Sequence, residues 1–133
     1  MCMVGDIIVI NDYYDNGKKI NKHSFVILND AEGKIQGLDY NIVCNVMSSF
    51  KNKEQRAKKL KYPGNFPITY NDVDITSGNN KEGYIKAEQF YYFDKEKIDY
   101  FVIGSMNEEA FNTLTGFIME LNIDIKHIID NLE

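Results

Sequence analysis

The sequence predicts a mainly β protein of the α+β class: a strongly bent antiparallel sheet with a C-terminal helix packed on it. Three observations carry this. Short apolar runs recur through the first hundred residues, separated by Asn, Asp, Gly and Pro. The hydrophobic period changes from two to 3.6 after Gly104. The length, 133 residues with 44% apolar, suits one domain (1–133) that buries its own core.

Taken in order, Val4–Ile10 (VGDIIVI) is apolar almost throughout and reads as a first strand buried on both faces. NDYYDNGKK comes next, with the Asn16-Gly17 pair marking a turn. His23–Leu28 (HSFVIL) is the second strand and AEGKIQG a second turn or hairpin tip. Tyr40–Met47 (YNIVCNVM) is the third strand, ended by Ser48-Ser49, hydroxyls that cap the next segment or stand where a strand leaves the sheet. Lys51–Tyr62 reads as a short helix or a loop stopped by Pro63-Gly64. Phe66–Tyr70 is a short strand placed at an edge, because Pro67 cannot donate to a ladder.

The polar run NDVDITSGNNKEG reads as irregular and delivers the chain into a strand opening at Gly83, GYIKAEQFYYF. Asp94-Lys95-Glu96-Lys97 turns the chain and Tyr100–Gly104 makes a further strand. Ser105 and Glu108 have capping-box spacing. Ala110, Phe111, Leu114, Phe117, Ile118 and Leu121 then share one side of an amphipathic helix. Asp124 is placed to cap a last short helix carrying Ile125, Ile128, Ile129 and Leu132.

Composition narrows the function. A net charge of −5 argues against a protein that coats nucleic acid along its whole surface. The charge is unevenly spread: Lys51–Lys61 holds six cations against one glutamate, and Lys18, Lys19, Lys22 and His23 form a smaller basic cluster. Such patches on an acidic body suit a short polyanion or an acidic protein partner. No run approaches the ~20 apolar residues of a bilayer span. MCMVGDIIVI lacks the basic start of an export signal, so cytoplasmic location and free thiols at Cys2 and Cys44 are expected.

Lys86-Ala87-Glu88 is the candidate chemical centre. In one extended strand residues i and i+2 share a side, which would set Lys86 beside Glu88, with Gln89 and aromatic rings around them. A paired cation and carboxylate can hold a phosphate and move a proton. The alternative is an exposed ion pair on a sheet, which contributes little.

These features in this order resemble the MazF/PemK family of toxin ribonucleases from bacterial toxin–antitoxin pairs. The resemblance rests on Gly5-Asp6-Ile7 opening a strand, Val26-Ile27-Leu28-Asn29-Asp30 ending the second, and Met47-Ser48-Ser49 at a strand end. Phe66-Pro67-Ile68, Glu88-Gln89, Phe93-Asp94-Lys95 and a terminal helix complete it. It covers nearly the whole chain. It implies an SH3-like small barrel, a homodimer, and a metal-independent endoribonuclease without cofactor that cleaves single-stranded RNA by 2′-OH attack on the adjacent phosphate. It also implies a cognate antitoxin protein as partner.

Carried over residue by residue, the resemblance names Lys22, His23, Ser48, Lys86 and Glu88 as catalytic. Lys18, Lys19, Lys51, Lys53, Arg56 and Gln89 become RNA contacts. Lys22-His23 stands where the family carries an Arg-Pro pair; lysine keeps the charge and loses the bidentate fork, while His23 offers a proton donor of suitable pKa. The family's hydroxyl aligns with Met47 or, with a one-residue slip, with Ser48, which is taken as its counterpart, and Lys86-Ala87-Glu88 takes the place of an Arg-x-Asp pair. The reading from a different class is a non-catalytic SH3-like module, or an inactive toxin homologue, that binds a protein partner.

Overall fold

A computed structural model describes residues 2–75 and 82–133. Its strands are β1 (Asp6–Asp15), β2 (Lys18–Asn29), β3 (Gly33–Ile35), β4 (Leu38–Tyr40) and β5 (Ile42–Ser49). The helix α1 (Lys53–Leu60) precedes β6 (Asn65–Ile68), β7 (Val73–Ile75), β8 (Gly83–Lys86), β9 (Gln89–Phe93) and β10 (Tyr100–Met106). The helix α2 (Glu108–Met119) and β11 (Lys126–Ile128) complete the chain, with a single 3-10 turn at Asp130–Leu132.

The main sheet runs β11-β9-β5-β2-β1-β10-β7, with β8 on β5 and β6 on β8; β3 and β4 form a separate hairpin. The mainly β, α+β expectation holds. Among the described residues the strands follow an open path and do not close into a barrel.

The centre of the sheet is apolar on both faces, as VGDIIVI suggests. Ile8, Ile10, Phe25, Ile27, Ile42, Cys44, Val46, Tyr91 and Phe93 form one core. Ile7, Val9, Val26, Met47, Phe66, Ile85 and Ile103 form the second, under Ala110 and Leu114 of α2. Two-residue alternation along β1 feeds both layers at once. Both cysteines are buried and free, and burial pushes the Cys44 thiol well above its usual range, with Cys2 adding to the shift.

Several expectations need correction. β1 and β2 run on through the stretch expected to be a turn, because Tyr13 and Ile20 keep the apolar alternation going into the first core. The turn itself is only Asn16-Gly17, whose φ values of 54° and 78° are those a tight two-residue hairpin requires. Part of the supposedly irregular run forms β7 on the edge of β10; the remainder, 76–81, lies outside the described residues. The cap of α2 is Asn107, whose Oδ1 accepts from the Ala110 amide at 2.8 Å, while Ser105 stays in the sheet opposite Asp6. The last helix is replaced by β11, which pairs parallel with β9 and puts Ile128 into the first core. β6, by contrast, is the edge strand that Pro67 foretold, paired among the described residues with β8 alone.

The largest correction concerns Gly83–Phe93, which is two strands. β8 pairs with the end of β5 (Met47↔Ile85) and β9 with its beginning (Cys44↔Tyr91). Asn45 and Val46 therefore face Lys86–Phe90, and the surplus bulges out as a turn at Ala87-Glu88. Buried Asn45 holds this break, its Nδ2 donating to the Gln89 carbonyl at 2.9 Å and the Ala87 carbonyl at 3.5 Å. The Ala87 amide donates to the Gly64 carbonyl and the Lys126 amide to the Glu88 carbonyl.

Candidate functional site

On the second face of the sheet lies a groove of about 870 Å³. Its floor is apolar: Ile7, Val9, Met47, Ile68, Val73, Ile75 and Ile103. Its charged lining residues are Lys22, Lys51 and Lys59, and no Asp or Glu lines it among the described residues. In a chain of net charge −5 that is a strong segregation. Cations over a low-dielectric floor focus a positive potential where a polyanion can lie.

β2 supplies Lys22 and Ser24. The Lys22 ammonium stands 5.5 Å from the centroid of the Phe101 ring, itself partly exposed in the groove. This cation–π contact holds the charge at the wall without neutralising it. β5 delivers Ser48 and Ser49, which pair with Tyr84 and Gly83 of β8. Gly83 is needed there because β8 passes so close that a Cβ would strike the Ser48 carbonyl.

The opposite wall is α1. Asn52 caps it by accepting from the Gln55 amide at 2.8 Å, and the Gln55 carbonyl Oε1 accepts from the Lys51 amide at 2.6 Å. Gln55 and Lys59, four residues apart, share one side of the helix, Lys51 precedes its cap, and all three line the groove. The helix buries none of its residues. Arg56 moors it, 3.9 Å from the Glu82 carboxylate and 5.9 Å from the Phe50 ring, which stacks on Tyr84 at 5.1 Å.

The structure therefore brings Lys22, His23, Ser48 and Lys51 to the groove lining. The His23 ring belongs elsewhere: it packs edge-on to Tyr13 of the first core at 5.8 Å, and its Nδ1 lies 3.0 Å from the Asn21 carbonyl. Lys18 and Lys19 sit at the tip of the β1–β2 hairpin, Lys19 4.0 Å from Asp12. Lys53 and Arg56 are on α1 but outside the lining. Gln89 begins β9, where the Tyr91 hydroxyl stands 3.5 Å from its Oε1.

Lys86 and Glu88 are not neighbours on one strand face. Lys86 ends β8 opposite Asn65, half-buried. Glu88 is 5% exposed in the turn, its carboxylate held so closely under Gly64 that a Cβ there would collide with Oε2. The turn at Ala87-Glu88 breaks the two-residue period on which their pairing depended, and neither residue lines the groove.

Sequence reasoning passed over Lys59, Gln55 and Phe101. The first two were legible as the four-residue spacing Lys51, Gln55, Lys59; Phe101 read simply as part of an apolar strand.

Away from the groove, burial and the Asp15 carboxylate push Tyr13 up to about 12, and Tyr91 also rises, chiefly through burial and its hydrogen bond to Asp15. Among the described residues no group of three or more His, Cys, Asp or Glu is placed to hold a metal, and no helix is long and apolar enough to cross a membrane. No family model matches the chain, and no curated protein matches it.

Proposed function

We propose that the groove binds single-stranded RNA and that the chain cuts it there, as a metal-independent endoribonuclease of the toxin type. The reading includes an SH3-like arrangement of the bent sheet, a homodimer, a cytoplasmic setting and a cognate antitoxin that covers the groove. The observation that carries it is the gathering of Lys22, Lys51 and Lys59 with three serine hydroxyls in one groove free of carboxylates among the described residues. Single-stranded RNA asks for this: a few cations for the backbone, hydroxyls for phosphate and sugar oxygens, and a ring such as Phe101 for a base.

In this reading a ribose 2′-oxygen attacks the adjacent phosphorus, the bond to the 5′-oxygen breaks, and a 2′,3′-cyclic phosphate and a 5′-hydroxyl result. The proton lost from the 2′-oxygen is balanced by one gained at the leaving oxygen. Lys22 stabilises charge on the phosphorane, and Ser48 and Ser49 orient its oxygens.

The test is incubation of the pure protein with single-stranded RNA in EDTA. The expected result is fragments ending in cyclic phosphate, lost on Lys22→Ala and retained in Glu88→Gln and Lys86→Ala. If folded Glu88→Gln or Lys86→Ala abolishes cutting, the chemistry belongs to the β8–β9 turn.

The second reading is a module that binds without cutting. The placement of the His23 ring on the other face, and of Lys86 and Glu88 outside the groove, favours it. RNA retained intact under the same conditions would select it.

A further inference from the structure

We propose that Gln55 and Lys59 on one side of α1, continued by Lys51 just before its N-cap, form a backbone-binding rail that grips single-stranded RNA across the groove from Lys22. This rests on the RNA reading of the groove and adds a second, dedicated line of contacts to it.

Three observations carry it. Gln55 and Lys59 are four residues apart on α1, about 6 Å along its axis, a step comparable with that between phosphates in an extended single strand, and Lys51 is tied to Gln55 from just before the N-cap. None of the three is buried, and α1 itself buries no residue. A helix that buries nothing gains little from packing. Lastly, Lys51 and Lys59 have no ion-pair partner among the described residues, whereas Arg56 on the same helix is taken by Glu82 and Phe50.

Gln55 adds direction. Its Oε1 accepts from the Lys51 amide, which fixes the side-chain amide, and its NH2 group donates. The row thus presents two ammonium groups and an amide donor, all matched to phosphate and sugar oxygens. Lys53 and Lys58 are equally charged and exposed on the same helix, yet stand outside the lining. They are internal controls.

The measurement is fluorescence anisotropy with a labelled single-stranded oligodeoxynucleotide, which has no 2′-hydroxyl and cannot be cut, titrated across a range of salt. Lys51→Ala and Lys59→Ala should each weaken binding roughly three- to tenfold at low salt and lower the log–log salt slope by about 0.7. Lys53→Ala and Lys58→Ala should leave both nearly unchanged.

Equal losses in all four variants would overturn the rail, because charge alone would then be acting. So would unaltered binding in Lys51→Ala and Lys59→Ala while Lys22→Ala binds weakly, a result that spares the groove reading. A wild-type protein that binds no oligonucleotide at any salt would end both. Since none of the substituted lysines is buried, every variant is expected to keep the wild-type circular dichroism spectrum.

Discussion

Tyr13 shows how much a single buried hydroxyl can report. Its ring meets Phe25 at 4.9 Å, Tyr91 at 5.6 Å and His23 at 5.8 Å, all edge-on, and the Asp15 carboxylate lies nearby. Burial and that charge both disfavour phenolate, raising the folded pKa to about 12 against an unfolded value near 10. Above pH 10 the unfolded chain therefore loses a proton that the folded one keeps. The stabilisation is complete below pH 10 and disappears as pH climbs toward 12. At pH 11 the loss from this residue is about 1.4 kcal/mol. Urea midpoints at pH 8 and pH 11 should accordingly fall further for wild type than for Tyr13→Phe, and identical drops would show that Tyr13 ionises freely. None of this could be read from NDYYDNGKK, where Tyr13 and Tyr14 look alike. Burial separates them: one is 3% exposed and the other 45%.

At the scale of elements, the sequence was legible wherever local pattern and tertiary demand agree. VGDIIVI, HSFVIL and YNIVCNVM all lie in strands, the first two in strands that run five residues further toward their shared turn, Pro67 marks an edge, and α2 carries the expected apolar side. It was illegible at Gly83–Phe93, where β propensity is continuous and the interruption comes from a partner. Asn45 in the middle of β5 imposes the break by taking two carbonyls that a regular strand would direct elsewhere. Asn45→Ala should therefore cost about 1–3 kcal/mol, through two lost bonds at a fully buried position. Asn45→Asp should cost more at neutral pH, because a buried carboxylate would face those carbonyls without a proton to give. The aspartate's folded pKa would be raised above the unfolded value near 4, so part of that loss should return as pH falls through the folded value, with the return complete by about pH 4, where the neutral acid can donate. Urea melts at pH 7 and pH 3.5 check this; equal costs for Ala and Asp at pH 7 would mean that the side chain does not hold the turn. The terminal helix was misread for a related reason. Ile125, Ile128, Ile129 and Leu132 fit a helix by spacing, but the exposed edge of β9 offers hydrogen bonds that a short isolated helix cannot match.

Across the whole molecule, the two ends of the chain lock each other. The tip of the β1–β2 hairpin is held by residues more than a hundred positions away. Asn131 accepts from the Tyr14 amide at 2.7 Å and donates to the Tyr14 carbonyl at 3.0 Å, and Asp130 accepts from the Gly17 amide at 2.9 Å. Lys126 lies 3.9 Å from Asp15, whose other oxygen accepts from the Tyr91 hydroxyl at 2.9 Å. Ile128 and Leu132, both nearly fully buried, complete the contact. The hairpin on its own would be a long, two-stranded ribbon, marginal in water. With the clasp, it is a rigid arm bearing Lys22 at a fixed place on the groove wall. Folding should then be all-or-none, since the first hairpin is finished only when the last eight residues dock. Asn131→Ala should lower unfolding free energy by about 1–2 kcal/mol through the two bonds to Tyr14. Ile128→Ala should lower it by about 2–4 kcal/mol through the cavity it leaves. Deleting 126–133 removes the clasp and bares the edge of β9, so the truncated chain should lose cooperative unfolding and aggregate. Urea denaturation followed by near-ultraviolet circular dichroism distinguishes the cases. A truncated chain that melts as sharply as wild type, at the same midpoint, would reduce the C-terminal segment to an appendage and leave the position of Lys22 without its support.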